Sequence, residues 1–292
     1  MSDVYAAIES IISAGIASVS ETCRFLDVNR TAFHAWRVSG PTAVETQEEE
    51  LTPLIRILFR KHRRRYGARR IADELHEMGH VCSPRKVSKV LKTQGLRAIQ
   101  PKSFVPKTTD SRHRLGYSPN LLLDTAEPTD INQVWVGDIT YIPLQGGTFC
   151  YLASLMGLFS RRIIGWELKD DMTESLVLAA LRSAVKERQP QAGLIHHSDR
   201  GGQYAGNDYR AVLRRADIRQ SMSRADNCYD NSFMESFIGT FKTELEMTEY
   251  EDSHQARREA AEYIRYYNFE RKHSALEYLS PDRFEQLTHH PE

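Results

Sequence analysis

The sequence predicts an α/β protein in which all-α modules precede a mixed five-stranded sheet with helices. Three observations predict it. Hydrophobic spacing is helical up to about residue 97 and turns strand-like after Pro128. Between the two lies a stretch rich in Pro, Lys and Thr with little periodicity, as expected of a linker. The charge is also segregated. The formal net charge is zero, yet residues 56–114 hold 17 Lys and Arg against 4 Asp and Glu, leaving 22 and 35 elsewhere. A basic segment beside an acidic domain suits a phosphate-binding module joined to a metal-binding one. A solvated basic face has the same composition.

Length and composition, 292 residues with 40% hydrophobic and 27% charged, allow two domains with cores of their own. No apolar run approaches the roughly 20 residues of a membrane span. The amino terminus lacks the basic start of a secretory signal. Cys23, Cys82, Cys150 and Cys228 form no Cys-x-x-Cys pair, so neither a zinc site nor a disulfide framework is expected. The expected compartment is the cytoplasm, beside the nucleoid.

Residues 18–26 and 30–37 read as short helices joined by the turn Asp27-Val28-Asn29, a helix-turn-helix pattern that small helical cores without DNA contacts share. This gives a helix-turn-helix-like module over 1–40. After Ser39-Gly40-Pro41 an acidic run opens the next helix, read over 51–66 with Leu54, Ile55, Leu58 and Phe59 inward. A second helix carries Ile71, Leu75 and Met78. A third starts at Ser83-Pro84, with Val87, Val90 and Leu91 inward and Arg85, Lys86, Lys89 and Lys92 outward. Residues 41–97 therefore read as a basic DNA-binding module. Its candidate contacts are Arg63, Arg64, Arg65, Arg69, Arg70, Arg85, Lys86 and Lys89. Residues 98–127 are the expected linker.

In 128–292, strands are expected at 134–144, 148–156, 162–168, 194–197 and 218–222, with a Gly146-Gly147 hairpin turn. Helices are expected at 173–188, 203–216, about 231–248 and 252–268. This is the element order of a ribonuclease H-like domain.

Three acids sit in unusual local settings. Asp138 interrupts the apolar strand VWVGDITYI, where a buried charge needs a partner, a metal or water. An outward-facing or structurally paired Asp fits the same pattern. Asp199 follows a short strand in HHSDRGGQY, at the carboxyl end where ligand sites of open sheets gather. A helix-capping Asp is the plainer reading. Glu235 shares a helical face with Asn231 and Lys242, while Phe233, Phe237 and Phe241 can lie toward the core. An ordinary exposed Glu and Lys have that spacing too. Phosphoryl transfer on DNA uses two divalent cations held by such hard oxygen ligands.

Six motifs carry a resemblance: YGARRI at 66–71, WVGDITYI at 135–142, YLASLMGLFSRRIIGW at 151–166, HHSDRGGQY at 196–204, SMSRADNCYDNSFMESFIGTFKTEL at 221–245 and YIRYYNFERKHSALEYLSP at 263–281. In order and spacing, including 35 residues between the last two acids, they resemble the OrfB-type transposases of the IS-three group, a branch of the DDE transposases and retroviral-type integrases.

The resemblance implies that Asp138, Asp199 and Glu235 are a metal-binding triad for two Mg²⁺ or Mn²⁺ ions, followed by a basic Lys242. Asn231 and Lys242 become candidate DNA contacts, and His196 and His197 supporting residues that shape the strand end. It also implies a ribonuclease H-like core over 128–292 and strand cleavage and transfer at terminal inverted repeats into target DNA. A homo-oligomer pairing two ends is expected, and an upstream-frame partner protein fits the group. The tail residues Tyr266, Tyr267, Asn268, Arg271, His273 and Ser274 are expected to pack on the core. Two departures stand out: Gly157 where the family commonly has an acid, and Asp226 where it commonly has Gly. A nuclease without strand transfer and a catalytically silent DNA-binding regulator are the competing readings.

Overall fold

The computed structural model describes residues 2–39, 43–100, 116–224, 231–246 and 249–288. The chain divides into two compact units, Met1–Ala98 and Ile99–Glu292. Among the described residues no helix is long and apolar enough to cross a membrane. Cys228 and Asp226 lie outside the described residues.

The first unit opens with α1 (Ser2–Ser13), α2 (Val19–Phe25) and α3 (Arg30–Ser39). Ser18 and Glu21 form a reciprocal capping box at the start of α2, and Asn29 Oδ1 accepts from Ala32 N at 3.1 Å to start α3. Tyr5, Ile8, Cys23 and Phe33 make the small core. The second set is α4 (Ala43–Lys61), α5 (Ala68–Glu77) and α6 (Pro84–Thr93). α4 starts earlier than the expected residue 51. The acidic run is itself helical and continues through Pro53, which lacks only the N–H that Glu49 would have received. Leu51, Ile55, Leu58, Phe59, Ile71, Ala72, Leu75, Val87, Val90 and Leu91 are buried. Leu54 is only half-buried, and Met78, expected inward, lies past the end of α5 and is half exposed.

The second unit is a five-stranded sheet in the order β3-β2-β1-β4-β5, formed by β1 (Val134–Leu144), β2 (Thr148–Gly157), β3 (Ile163–Lys169), β4 (Ile195–Ser198) and β5 (Arg219–Met222). β1, β2 and β3 are antiparallel neighbours, whereas β4 runs parallel to β1 and β5 parallel to β4. This is the mixed ribonuclease H-like sheet that the element order predicts. Gly146 and Gly147 both have positive φ, 83° and 77°, in the loop joining β1 to β2, a conformation costly for a side-chain-bearing residue.

Four helices follow the predicted order: α7 (Glu174–Arg188), α8 (Asn207–Arg215), α9 (Ser232–Glu244) and α10 (Ser253–Phe269). α11 (Pro281–Thr288) was not expected. α7 lies so close to β3 that a Cβ on Gly165 would stand 2.5 Å from the Ala180 carbonyl oxygen. Trp135, Leu155, Ile164, Leu176, Leu181, Tyr204, Tyr209 and Met222 belong to the core beneath.

Both sheet edges are sealed, as unpaired edges invite association. At β3 the Asn268 side chain accepts from Ile163 N at 2.9 Å and donates to Ile163 O at 2.8 Å. At β5 the sealing segment comes from the expected linker. Met222 N donates to Pro119 O at 3.3 Å, and Leu121 N to Ser221 Oγ at 2.9 Å. The described end of that stretch is thus docked on the sheet. Residues 101–115 lie outside the described residues.

Candidate active site

β1 carries Asp138 in the middle of the sheet, paired with Ser154 of β2. Its carboxylate is half-buried and Oδ1 accepts from Ile139 N at 2.8 Å. Burial pushes the carboxyl up to about 8, with further increases from the charges of Asp199 and Glu235. The Ile139 N–H and Lys242 pull the other way. Groups from three separated stretches therefore act on one side chain.

Asp199 sits just past the end of β4, in a turn set by local bonds. Its Oδ1 accepts from Gly201 N at 2.9 Å, and a Cβ on Gly201 would stand 3.0 Å from that oxygen. The side chain thus braces its own turn rather than capping α8, whose N-cap is Gly206. The two preceding histidines are completely buried. His196 Nε2 pairs with the Tyr209 hydroxyl at 2.6 Å, and burial holds its pKa down to about 3, so its imidazole stays neutral. His197 lies between Ser221 Oγ at 2.8 Å and Ser223 Oγ at 3.1 Å. Rings so enclosed tie β4 to β5 and α8.

Gly137 was a missed signal. A Cβ there would stand 3.0 Å from His196 Cε1, so the glycine is what admits the ring beside β1. A lone Gly in a β-branched strand marks such close approaches.

α9 lies against β1 because Met234, Phe237 and Phe241 recur at helical spacing and are buried. Two expectations fail here. Asn231, predicted on the exposed DNA-facing side, is 5% exposed and donates from Nδ2 to Gly137 O at 3.1 Å. Its place at the helix cap turns the amide onto β1 rather than to the exposed side. Phe233, predicted inward, is 42% exposed and covered by the Arg161 guanidinium, 3.7 Å from the ring centroid.

Glu235 is exposed, and partial burial raises its pKa. Lys242 Nζ stands 4.0 Å from the centroid of the Tyr141 ring. Burial lowers the Lys242 pKa, while Asp138 opposes that shift. Asn231 at Gly137 and Lys242 over Tyr141 place α9 along β1. The helix advances roughly 16 Å between those anchors and the strand roughly 13 Å, so the two nearly match.

Among the described residues, no three His, Cys, Asp or Glu side chains stand as a ready metal-holding group. The donors are nevertheless all hard carboxylate oxygens, which suit Mg²⁺ or Mn²⁺. The mutual repulsion felt at Asp138 is the field a cation relieves.

The tail holds α9 from the other end. Arg271 donates to Glu244 at 2.7, 3.0 and 3.1 Å, and Tyr263 OH donates to the same carboxylate at 3.1 Å. The His273 ring meets Tyr267 edge-on at 4.7 Å. α11 is fixed by Arg188, bidentate to Glu285 at 2.8 and 2.9 Å, and by Arg162 on Asp282 at 2.7 Å.

Within the first unit, Arg63, Arg64, Arg69, Arg85 and Lys89 are exposed, whereas Arg65, Arg70 and Lys86 are half-buried. Arg63 and Arg64 both have positive φ, at 49° and 63°, in the turn that ends α4. Lys86 and Lys89, expected to point outward, reach back to α4, to Gln47 and to Glu48 at 2.8 Å.

Gly157 pairs with Trp135, three positions from the Asp138–Ser154 pair. A Cβ there would make only ordinary contacts, so the backbone does not demand glycine.

Residues 128–228 match a family described as Integrase core domain, 216–281 a second family of the same description, and 46–104 an HTH-like domain. The chain is 38% identical over 269 residues to the "Insertion element IS600 uncharacterized 31 kDa protein" of Shigella sonnei, covering 91% of this chain and 98% of that one. It is 37% identical over 273 residues to the "Transposase InsF for insertion sequence IS3A" of Escherichia coli (strain K12), covering 92% and 94%. A similar solved structure is the HTLV-2 integrase catalytic core domain in complex with magnesium, trimeric form. There identity is 13%, TM-score 0.43, and coverage 53% of this chain and 97% of that one.

Proposed function

The chain belongs to the IS3-family insertion-sequence transposases, and from that premise we propose that it cuts and joins DNA at one carboxylate centre made of Asp138, Asp199 and Glu235. What supports this reading is the convergence on Asp138 of charge from Asp199, Glu235 and Lys242, residues on a strand, a turn and a helix.

The three carboxylates would hold two Mg²⁺ or Mn²⁺ ions. When bound, such ions activate the attacking oxygen and stabilise the leaving one. Asp138 supplies a carboxylate from a rigid central strand, and Asp199 one from a turn stiffened by its own hydrogen bond to Gly201. Glu235 adds one from the exposed face of α9. Lys242, anchored over Tyr141, brings a cation toward the phosphate. His196 is a buried neutral strut in this scheme, and His197 a buried ring held between Ser221 and Ser223. No Ser or Tyr nucleophile is required. Water would attack the first phosphodiester and free a 3′ hydroxyl. That hydroxyl would then attack a second phosphodiester at the same centre and expel that bond's own 3′ oxygen.

The HTH-like segment and its arginines are proposed to hold the terminal inverted repeats, with target DNA at the core. A homo-oligomer pairing two ends, an upstream-frame partner protein and a cytoplasmic, nucleoid-associated location belong to the same proposal.

Strand cleavage on the element's own ends in Mg²⁺ or Mn²⁺ tests it. Asp199→Asn is expected to lose about a thousandfold in rate, since metal-ion stabilisation contributes several kcal/mol. An Asn variant that cleaves like wild type would sink the carboxylate centre. A pre-cleaved end offered with a target plasmid separates strand transfer from nuclease action alone.

A further inference from the structure

We propose that Asn231 is a positioning residue whose side-chain amide sets the register of α9 on β1, so that Glu235 stands over Asp138. This rests on the carboxylate reading above and goes beyond it, because it gives Asn231 the role of positioning Glu235 rather than of holding metal or DNA.

The geometry is specific. Asn231 is the N-cap of α9 and 5% exposed, and its Nδ2 donates to the carbonyl of Gly137, the residue immediately before Asp138. Glu235 follows four residues later, one helical turn along the same face. One hydrogen bond therefore fixes where the first turn of α9 begins relative to the strand that bears Asp138. The far anchor, Lys242 over Tyr141, sets direction but lies two turns beyond Glu235 and tolerates sliding of a flexible side chain.

The other half of the amide points to the same role. Asn231 Oδ1 is buried and has no hydrogen-bond partner among the described residues. A buried acceptor left unsatisfied costs stability, so an apolar residue would serve packing better. The donor to Gly137 is what an apolar residue cannot supply. A second contact holds the same turn: the Phe233 ring lies under the guanidinium of Arg161, itself at positive φ in the turn between β2 and β3. That contact restrains the outer side of the turn and leaves its register on β1 to Asn231.

The test compares full-length wild type with Asn231→Leu and Asn231→Ala, which lack the amide, and with Asn231→Ser, which keeps a donor and a helix cap. In the metal-free protein, the amides of the first turn of α9 are expected to exchange about tenfold faster in the Leu and Ala variants. Cleavage at fixed Mg²⁺ is expected to fall about 10- to 100-fold, as for other residues that orient ligands. The Mg²⁺ concentration for half-maximal cleavage should rise, affinity for the terminal repeat should stay within about twofold, and Asn231→Ser should regain part of the lost rate. Should Asn231→Leu fail to fold, Asn231→Ala carries the same readings. Loss of terminal-repeat affinity in step with cleavage would make Asn231 a DNA contact and overturn the inference. So would wild-type exchange and cleavage in either amide-free variant. Asp199→Asn, run alongside, separates the two levels. If it still cleaves, the carboxylate reading fails and takes this inference with it. If it is inactive while Asn231→Ala cleaves normally, only the inference falls.

Discussion

Arg271 of the carboxyl-terminal tail grips Glu244, the last residue of α9, with three charge-assisted hydrogen bonds of 2.7 to 3.1 Å, and both side chains are at least nine-tenths buried. The tail is thereby coupled to the helix that carries Glu235 and Lys242. Removing one partner leaves the other as an uncompensated buried charge. Arg271→Ala is expected to cost about 3–5 kcal/mol in denaturant unfolding. Arg271→Lys keeps the charge but loses the bidentate fork, so it should cost less. Equal losses for the two would show that the retained charge contributes nothing without the guanidinium geometry.

A pH dependence follows from Asp138. Its carboxyl is raised to about 8, chiefly by burial and then by Asp199 and Glu235. A group protonated more readily in the folded state than in the unfolded one favours folding at low pH, and that contribution is lost as pH rises. The metal-free protein should lose stability from about pH 4 to about pH 8 through this group. Asp138→Asn carries no such charge. Its melting temperature should therefore gain on wild type across the same window and level off above it. Parallel curves for the two proteins would contradict the assignment.

Divalent cations should act in the opposite sense to that repulsion. Added Mg²⁺ or Mn²⁺ is expected to raise the melting temperature of wild type at pH 8, because a ligand bound only by the folded state stabilises it. Asp199→Asn should show little of this shift. A shift of equal size in both proteins would place metal binding elsewhere.

Exposure separates the basic residues of the first unit. Arg69→Ala and Arg85→Ala are each expected to lower the slope of log affinity against log salt by about one if they meet a phosphate. Lys89→Ala should change it less, because its ammonium is already paired with Glu48. A steeper loss for Lys89 than for Arg69 or Arg85 would reverse this ranking.

Gly165 tests the packing behind the site. A Cβ there would meet the Ala180 carbonyl oxygen at 2.5 Å and Ala184 Cβ at 2.7 Å. Gly165→Ala should force α7 off β3 at a cost of about 1–3 kcal/mol, read by chemical denaturation. An unchanged midpoint would mean that α7 shifts freely.

The strand and helix order was legible in the residues, because two-residue and 3.6-residue hydrophobic periods are local properties of a chain. The 134–144 strand and its Gly146-Gly147 turn, the 173–188 helix and the apolar faces of α5 and α6 all follow from them. Asp138 and Asp199 were visible as acids in settings that local structure explains poorly. α4 starts ahead of the expected residue 51 because the acidic run, which has no apolar stripe of its own, is helical and continues through Pro53. α11 was missed because a short polar helix has no stripe strong enough to announce itself, and Arg162 and Arg188 hold it from far away in sequence.

Side-chain direction is what only the tertiary structure decided. Asn231, Glu235 and Lys242 share a helical face in sequence, yet the amide turns inward to Gly137, Glu235 stays exposed and Lys242 settles over Tyr141. Phe233 lies out under Arg161, and Lys86 and Lys89 fold back onto α4. Local spacing sets which residues lie on a face. What a face meets depends on partners tens of residues away, whose approach is governed by packing and by the need to satisfy buried polar groups.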